Sequence, residues 1–290
     1  MTIAFILALS LAAAPTSSDP AGEWPELIQA GDLAAAKAKC EGWLKAAEVR
    51  TRAEGHKCLA NVEVGLASRA DGEAKLEGQG GADKKLAGIR RGVKHLDDAI
   101  ELAPGDLSIH QGRLHLLRVA GLMAEMAKAL EDSIRRHPGA DWLDAWKAYP
   151  REYYQARRFE QAVLLYRVLD SHFPDDHTII SNMGAALAML ERGAEALECF
   201  QRAVKLSPDD PIDNWNLARL NDFMGKLDEA QRGYERALAL KQDDAARANG
   251  TCVYAEFLEK KRNDRKRACE LQRKASCPAQ TACTAVPASR

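Results

Sequence analysis

Apolar residues recur at spacings of three and four along most of the chain, in stretches of about a dozen residues separated by short polar breaks. Between 177 and 210 the pattern runs through Met183, Gly184, Ala196, Phe200 and Ala203, and 34 residues later through Leu217, Ala218, Ala230, Tyr234 and Ala237. That period places one apolar stripe on each of two successive helices. Repeated period-two alternation bounded by turn dipeptides does not occur, so the pattern predicts an all-α chain. Four prolines (Pro104, Pro138, Pro174 and Pro208) each close a helical stretch, at steps of 34, 36 and 34 residues. Proline cannot continue a helix and biases the residue before it away from helical geometry. A period near 34 is the mark of stacked helix–turn–helix units.

With Pro208 at position 32 of a unit running over 177–210, the units 143–176 and 211–244 fall into the same register. The first of these has Trp146 at position 4, Tyr153 at 11, Ala162 at 20, Tyr166 at 24 and Pro174 at 32. Small residues at positions 8, 20 and 27 let two antiparallel helices approach closely, and the larger ones fill the space between neighbouring pairs. This arrangement resembles the tetratricopeptide repeat family, whose pattern sets residues of these sizes at these positions. The resemblance implies a right-handed superhelical solenoid of antiparallel helix pairs, with about seven repeats in one continuous array.

Outside the centre the fit loosens. The unit 107–140 keeps Gly121, Leu130 and Pro138 but has Met126 and Ser133 at positions 20 and 27, and Asp141–Trp142 is a two-residue insertion. Residues 52–106 read as a repeat with an expanded polar, Gly-rich internal loop at 71–85, and 22–51 as a degenerate first repeat. Residues 245–276 form a polar capping hairpin of the kind that ends stacked arrays, and the Ala/Pro/Thr-rich 277–290 reads as a disordered tail.

Composition changes this picture little. Charged residues are 29% and hydrophobic ones 46% of the 290 residues, and the formal net charge is −1, so no global field draws the chain toward nucleic acid or anionic membrane. The first residues do matter. Ile3 to Ala14 is apolar but for Ser10, too short to span a bilayer and of signal-peptide length. Residues 1–21 are therefore read as an export signal, which puts the chain in the periplasm or cell envelope, without an integral membrane segment once cleaved.

Seven cysteines behind such a segment invite a disulfide reading. Cys40 and Cys58 flank one helical turn and Cys252 and Cys269 another, so each pair is a candidate staple. Cys277 and Cys283 are placed to pair with each other, and Cys199 is left as a free thiol. No CxxC occurs and His56 has no ligand pair at zinc spacing, so no metal site is expected.

Phosphate loops, HExxH and GxSxG are all missing, and the paired carboxylates Asp175–Asp176 and Asp209–Asp210 sit where they cap helices. The sequence therefore predicts no enzyme and no cofactor. The basic run Lys260 to Arg267 lacks interleaved aromatics and reads as a solvated face, not a nucleic-acid surface. The resemblance implies that the first helix of each unit lines a concave face. The residues at the relevant positions are Arg118, Lys147, Arg151, Tyr154, Asn182, Trp215, Asn216 and Arg219. Asparagine there offers donor and acceptor to a peptide backbone, and the basic side chains favour an acidic or carboxylate-terminated ligand. The expected function is an interaction scaffold holding a protein or peptide segment. The alternatives are a solute-binding component of an envelope transporter, or a self-associating structural array.

Overall fold

The computed structural model describes residues 20–76, 82–278 and 281–285. Among these residues all regular structure is helical. They divide into two compact units, one ending at Trp142 and one beginning at Leu143. The boundary falls at the two-residue insertion, where the sequence suggests an uninterrupted array. The predicted signal at 1–21 lies outside the described residues, apart from Pro20 and Ala21 at the start of the first helix.

The first unit holds α1 (Pro20–Gln29), α2 (Leu33–Trp43), α3 (Val49–Leu76), α4 (Ala82–Leu102), α5 (Leu107–Val119) and α6 (Met123–Arg136). The second holds α7 (Leu143–Gln155), α8 (Phe159–His172), α9 (His177–Met189), α10 (Gly193–Leu206), α11 (Pro211–Phe223), α12 (Leu227–Ala239), α13 (Asp244–Lys261) and α14 (Arg265–Lys274), with a short 3-10 turn at Thr281–Ala285. Consecutive helices within each unit pack as pairs, and each pair packs on the next.

The repeat register is visible in the helix ends. Asp106, Asp176 and Asp210, each two residues after a ladder proline, cap α5, α9 and α11 by accepting from the backbone N–H groups of Ser108, Thr178 and Asp213 at 2.9–3.0 Å. These bonds satisfy donors that a helix N-terminus leaves unpaired. The prolines contribute their carbonyls as well: Arg202 donates to Pro174 at 2.5 Å and Arg236 to Pro208 at 3.2 Å, each from one repeat onward. The turns between paired helices need one left-handed residue. Gly121 and Gly225 supply it at φ 71° and 74°, while Arg157 and Glu191 hold the same register position at 59° and 60°, a conformation that costs a non-glycine residue roughly 1–2 kcal/mol.

The small-residue positions are closed. Ala162, Ala196, Ala203, Ala230 and Ala237 are all at most 1% exposed. Replacing Ala196 with leucine inserts three carbons into a space with no vacancy, and the expected cost is about 1–3 kcal/mol; an unchanged urea midpoint would refute this register.

Two sequence expectations are corrected. The loop expected at 71–85 is shorter: α3 runs to Leu76 and α4 begins at Ala82. The flanks are rich in helix-forming residues, and the isolated Gly72 costs only about 1 kcal/mol, too little to stop a propagating helix. The disordered tail expected at 277–290 is structured at its start. Cys277 and Ala282 are buried, and the backbone N–H of Ala282 donates to Gln272 Oε1 at 3.2 Å.

The cysteines bond as Cys40–Cys58, Cys252–Cys277 and Cys269–Cys283, with Cα separations of 5.8, 5.6 and 4.7 Å. The expected Cys252–Cys269 and Cys277–Cys283 pairs are thus replaced by two crossed ones. Counted back from the end of α13 at Lys261, Cys252 lies nine residues up its helix. The same rise along α14 from Arg265 reaches Lys274, so Cys252 faces the chain just beyond α14, where Cys277 lies, and not Cys269. Cys199 is unpaired. Burial, with Asp170 beside it, pushes its thiol up to about 11, so it stays protonated and unreactive at neutral pH.

In the first unit a polar network gathers around Ser133, one of the two positions where the repeat pattern departs. His110, fully buried, sits 3.0 Å by Nε2 from the Pro104 carbonyl and 2.9 Å by Nδ1 from Ser133 Oγ. The carbonyl fixes the Nε2–H tautomer and leaves Nδ1 as the acceptor. Arg113, 6% exposed, donates to Asp97, Asp132, the Ala129 carbonyl and Ser133. Burial holds His110 below the ordinary histidine value against its bond to the Pro104 carbonyl and against Asp132, with Arg113 and His137 adding to the lowering, and burial with Arg118 does the same to His115. The folded state then binds fewer protons than the unfolded chain below about pH 6.5. Stability from these groups is complete above that value and is lost as pH falls through the lower folded values. The melting temperature of the first unit should therefore drop between pH 7.5 and 5, with a shallower slope in His110→Gln; an identical slope in the variant rejects the assignment.

Candidate functional site

In the second unit α7, α9 and α11 form one layer, with α9 touching both neighbours. This layer carries seven of the eight residues expected on a binding face. The eighth, Arg118, lies in the first unit, where it is half-buried and its guanidinium is 2.9 Å from His115 Nδ1.

The seven divide by what already holds them. Lys147 is engaged: its ammonium lies 2.5 Å from Asp176 Oδ2, both side chains being largely covered. Burial alone would raise the Asp176 carboxyl, but Lys147, Thr178 and the α9 N-terminus outweigh it and hold it below the usual carboxylate range. Tyr154 stands edge-on to Phe159, with centroids 5.4 Å apart, at the turn into α8. Trp215 packs on Tyr234 at 4.8 Å and beneath Gly250 of α13, so it belongs to the core of the terminal hairpins more than to an open face. Asn216 donates to Ser181 Oγ at 3.3 Å.

The remaining three are open. Arg151 is exposed and its Nε bonds only the Lys147 carbonyl of its own helix, at 3.3 Å. Asn182 and Arg219 are exposed. Arg219 and Phe223 are one turn apart on α11, and Asn182 and Met189 two turns apart on α9, so each pair shares a helix face. Phe223 is 80% exposed and Met189 48%. These two apolar side chains add an apolar component to the open face.

Beneath this face runs a chain of buried polar groups. Asp213, only 2% exposed, lies 2.6 Å from His177 Nδ1, and Ser181 joins it to Asn216. Burial pushes the Asp213 carboxyl up, against its hydrogen bonds to Ser181 and His177. The basic run after α13 is paired in large part: Lys260, Arg262, Arg265 and Arg267 each lie within 3.5 Å of a carboxylate.

Stacked antiparallel helix pairs, with a proline after α4, α6, α8 and α10 and an aspartate cap on α5, α9, α11 and α13, define a helical-repeat protein. Residues 178–210 match the tetratricopeptide repeat family, and the fold is of that type. The chain is similar to the Hsp70-Hsp90 organizing protein of Triticum aestivum, 32% identical over 97 residues, which are 33% of this chain and 17% of that protein. Among solved structures it is similar to BtubC from P. vanneervenii (16% identity, 72% of this chain and 95% of that one, TM-score 0.47). It is also similar to YrrB, described as a TPR protein with an unusual peptide-binding site (18% identity, 66% of this chain and 97% of that one, TM-score 0.46). Among the described residues no helix is long and apolar enough to cross a membrane.

Proposed function

We propose that this protein is a non-enzymatic interaction scaffold of the cell envelope that holds an extended protein segment along α7, α9 and α11. The observation that carries the reading is the composition of the open face. Asn182 and Arg219 are exposed without a hydrogen bond or ion pair among the described residues, and the exposed apolar side chains of Met189 and Phe223 share their helix faces. An amide that meets a peptide backbone, a guanidinium that meets a carboxylate and an unburied aromatic are what a peptide groove requires.

Acidic segments are favoured by Arg151 and Arg219, although by less than the sequence suggests. The pair with Asp176 removes Lys147 from the balance, and Asp144 and Asp222 lie on the same helices. The repeat architecture and the name of the wheat relative support a protein partner. Three disulfides support a compartment outside the reducing cytoplasm.

Labelled twelve-residue peptides of acidic, neutral and basic composition, titrated by fluorescence anisotropy, test this. The acidic set should bind best, and Asn182→Ala/Arg219→Glu should weaken it roughly tenfold to a hundredfold, one to two contacts' worth. Asn216→Ala should matter less, since that amide is committed to Ser181. Acidic-peptide binding that survives the double substitution would remove the face from consideration.

A further inference from the structure

We propose that His56, His95 and Asp98 form a binding site for a divalent transition-metal ion of the zinc class, on the α3–α4 hairpin of the first unit. The sequence gives no sign of it, because the donors lie on two helices and 39 residues separate the histidines. His95 and Asp98 are three apart on α4 and so project from one face. His56 meets them from α3.

The two helices are forced close over the two turns that lead to this level. A Cβ at Gly88 would stand 2.3 Å from the Ala67 side chain, and one at Gly92 would stand 3.0 Å from the Ala60 carbonyl. Gly92 is one turn from His95 and Ala60 one turn from His56. The close approach brings the two imidazoles together at a tilt of 43°, with Nδ1 of one 3.3 Å from Nδ1 of the other. Asp98 Oδ2 is 3.8 Å from His56 Nδ1.

These separations suit an ion better than they suit the bare side chains. Two facing Nδ1 atoms share at most one proton, so one ring always presents an unprotonated nitrogen to the other. A tetrahedral zinc ion with Zn–N bonds of about 2.0–2.1 Å requires its nitrogen ligands to be about 3.3–3.4 Å apart. The His56–His95 distance is that edge, and a carboxylate oxygen stands within reach of the third vertex. Neutral imidazole is the form that ligates. Solvent reaches the site, since about half of the Asp98 side chain is exposed, which leaves the fourth position of a tetrahedral ion open to water. Neutral imidazoles with one carboxylate suit zinc, copper or nickel over calcium or magnesium.

The second unit provides a contrast. His177, Asp210 and Asp213 also cluster, but His177 Nδ1 and the Asp213 carboxylate are 2.6 Å apart, in direct hydrogen-bond contact and too close to share an ion as two ligands. Asp210 is occupied in capping α11.

The test is zinc titration of the full, untagged, disulfide-intact protein after chelation, by calorimetry, with cobalt(II) as a spectroscopic probe. One equivalent of zinc should bind saturably, and cobalt should give the visible bands of four-coordinate geometry. His56→Ala and His95→Ala should each weaken zinc binding by at least about tenfold, the smaller loss known for a mere outer-shell partner, and Asp98→Asn, conservative and on a part-exposed side chain, should do so without disturbing the fold. His177→Ala should bind as the wild type does. Absence of saturable zinc binding, affinity unchanged by both His95→Ala and Asp98→Asn, or equal loss in His177→Ala overturns the proposal.

Discussion

Replacing Arg113 with alanine is expected to cost the first unit about 3 kcal/mol, the lower end of what breaking a buried ion pair costs. The reason lies in what the guanidinium holds together. It reaches Asp97 on α4 at 2.9 Å and Asp132 on α6 at 3.0 Å, and in between it donates to the Ala129 carbonyl and Ser133 Oγ. Three consecutive helices are thereby tied through one side chain that is itself 6% exposed. The two carboxylates are 51% and 35% exposed and recover water when the arginine is gone, which keeps the cost from the upper end. Arg113→Met retains most of the volume and should lose only about 1–2 kcal/mol, because an apolar replacement leaves fewer polar groups stranded than a cavity does. A urea titration separates these outcomes, and equal midpoints for wild type and Arg113→Ala would show that the network contributes nothing.

The same network explains which parts of the fold could be read from the sequence. The ladder prolines, the aspartates two residues later and the small residues at positions 20 and 27 act locally or between adjacent helices, so a 34-residue period makes them visible. Positions 4, 7 and 27 of the unit 107–140 break that pattern with His110, Arg113 and Ser133. Read singly they are departures from a repeat. In the fold they replace apolar packing with hydrogen bonds at three positions that face one another. No single-chain pattern announces such a coordinated exchange, because each residue is meaningful only when its partner on another helix is known. The proposed face was assigned by the same means that made the caps visible: register assigns residues to a helix face. Register says nothing about how each side chain is engaged. It placed Lys147 and Trp215 beside Asn182 and Arg219, while Asp176 and Tyr234 had already claimed the first two. The His56–His95–Asp98 cluster was illegible because it depends on how closely α3 approaches α4, which Gly88 and Gly92 determine only once the two helices are paired.

Removing both C-terminal disulfides should produce the other large loss, about 3–5 kcal/mol in the second unit. The bonds close chain segments of 25 and 14 residues, and each by loop entropy is worth roughly 3 kcal/mol. Their loops overlap from Cys269 to Cys277, so the second bond closed adds less than the first and the two values do not sum. What they secure is the return of the chain over α14. Ala282 and Cys269 are buried with Tyr254, Phe257 and Leu258 in one apolar cluster, and Cys277 ends the segment that turns back toward α13. Without the bonds this cover is held by noncovalent contacts alone, among them the Ala282 bond to Gln272 and a 2.6 Å bond from Thr281 to Glu259. In Cys277→Ser/Cys283→Ser, backbone amides of α14 should therefore exchange faster while those of α9 and α10 stay protected. A matching loss should follow when the wild type is reduced. Non-reducing peptide mapping checks the connectivity on which the argument rests. Recovery of a Cys252–Cys269 peptide, or exchange in α14 unaltered by the double substitution, would mean that the terminal hairpin is held by its aromatic core alone.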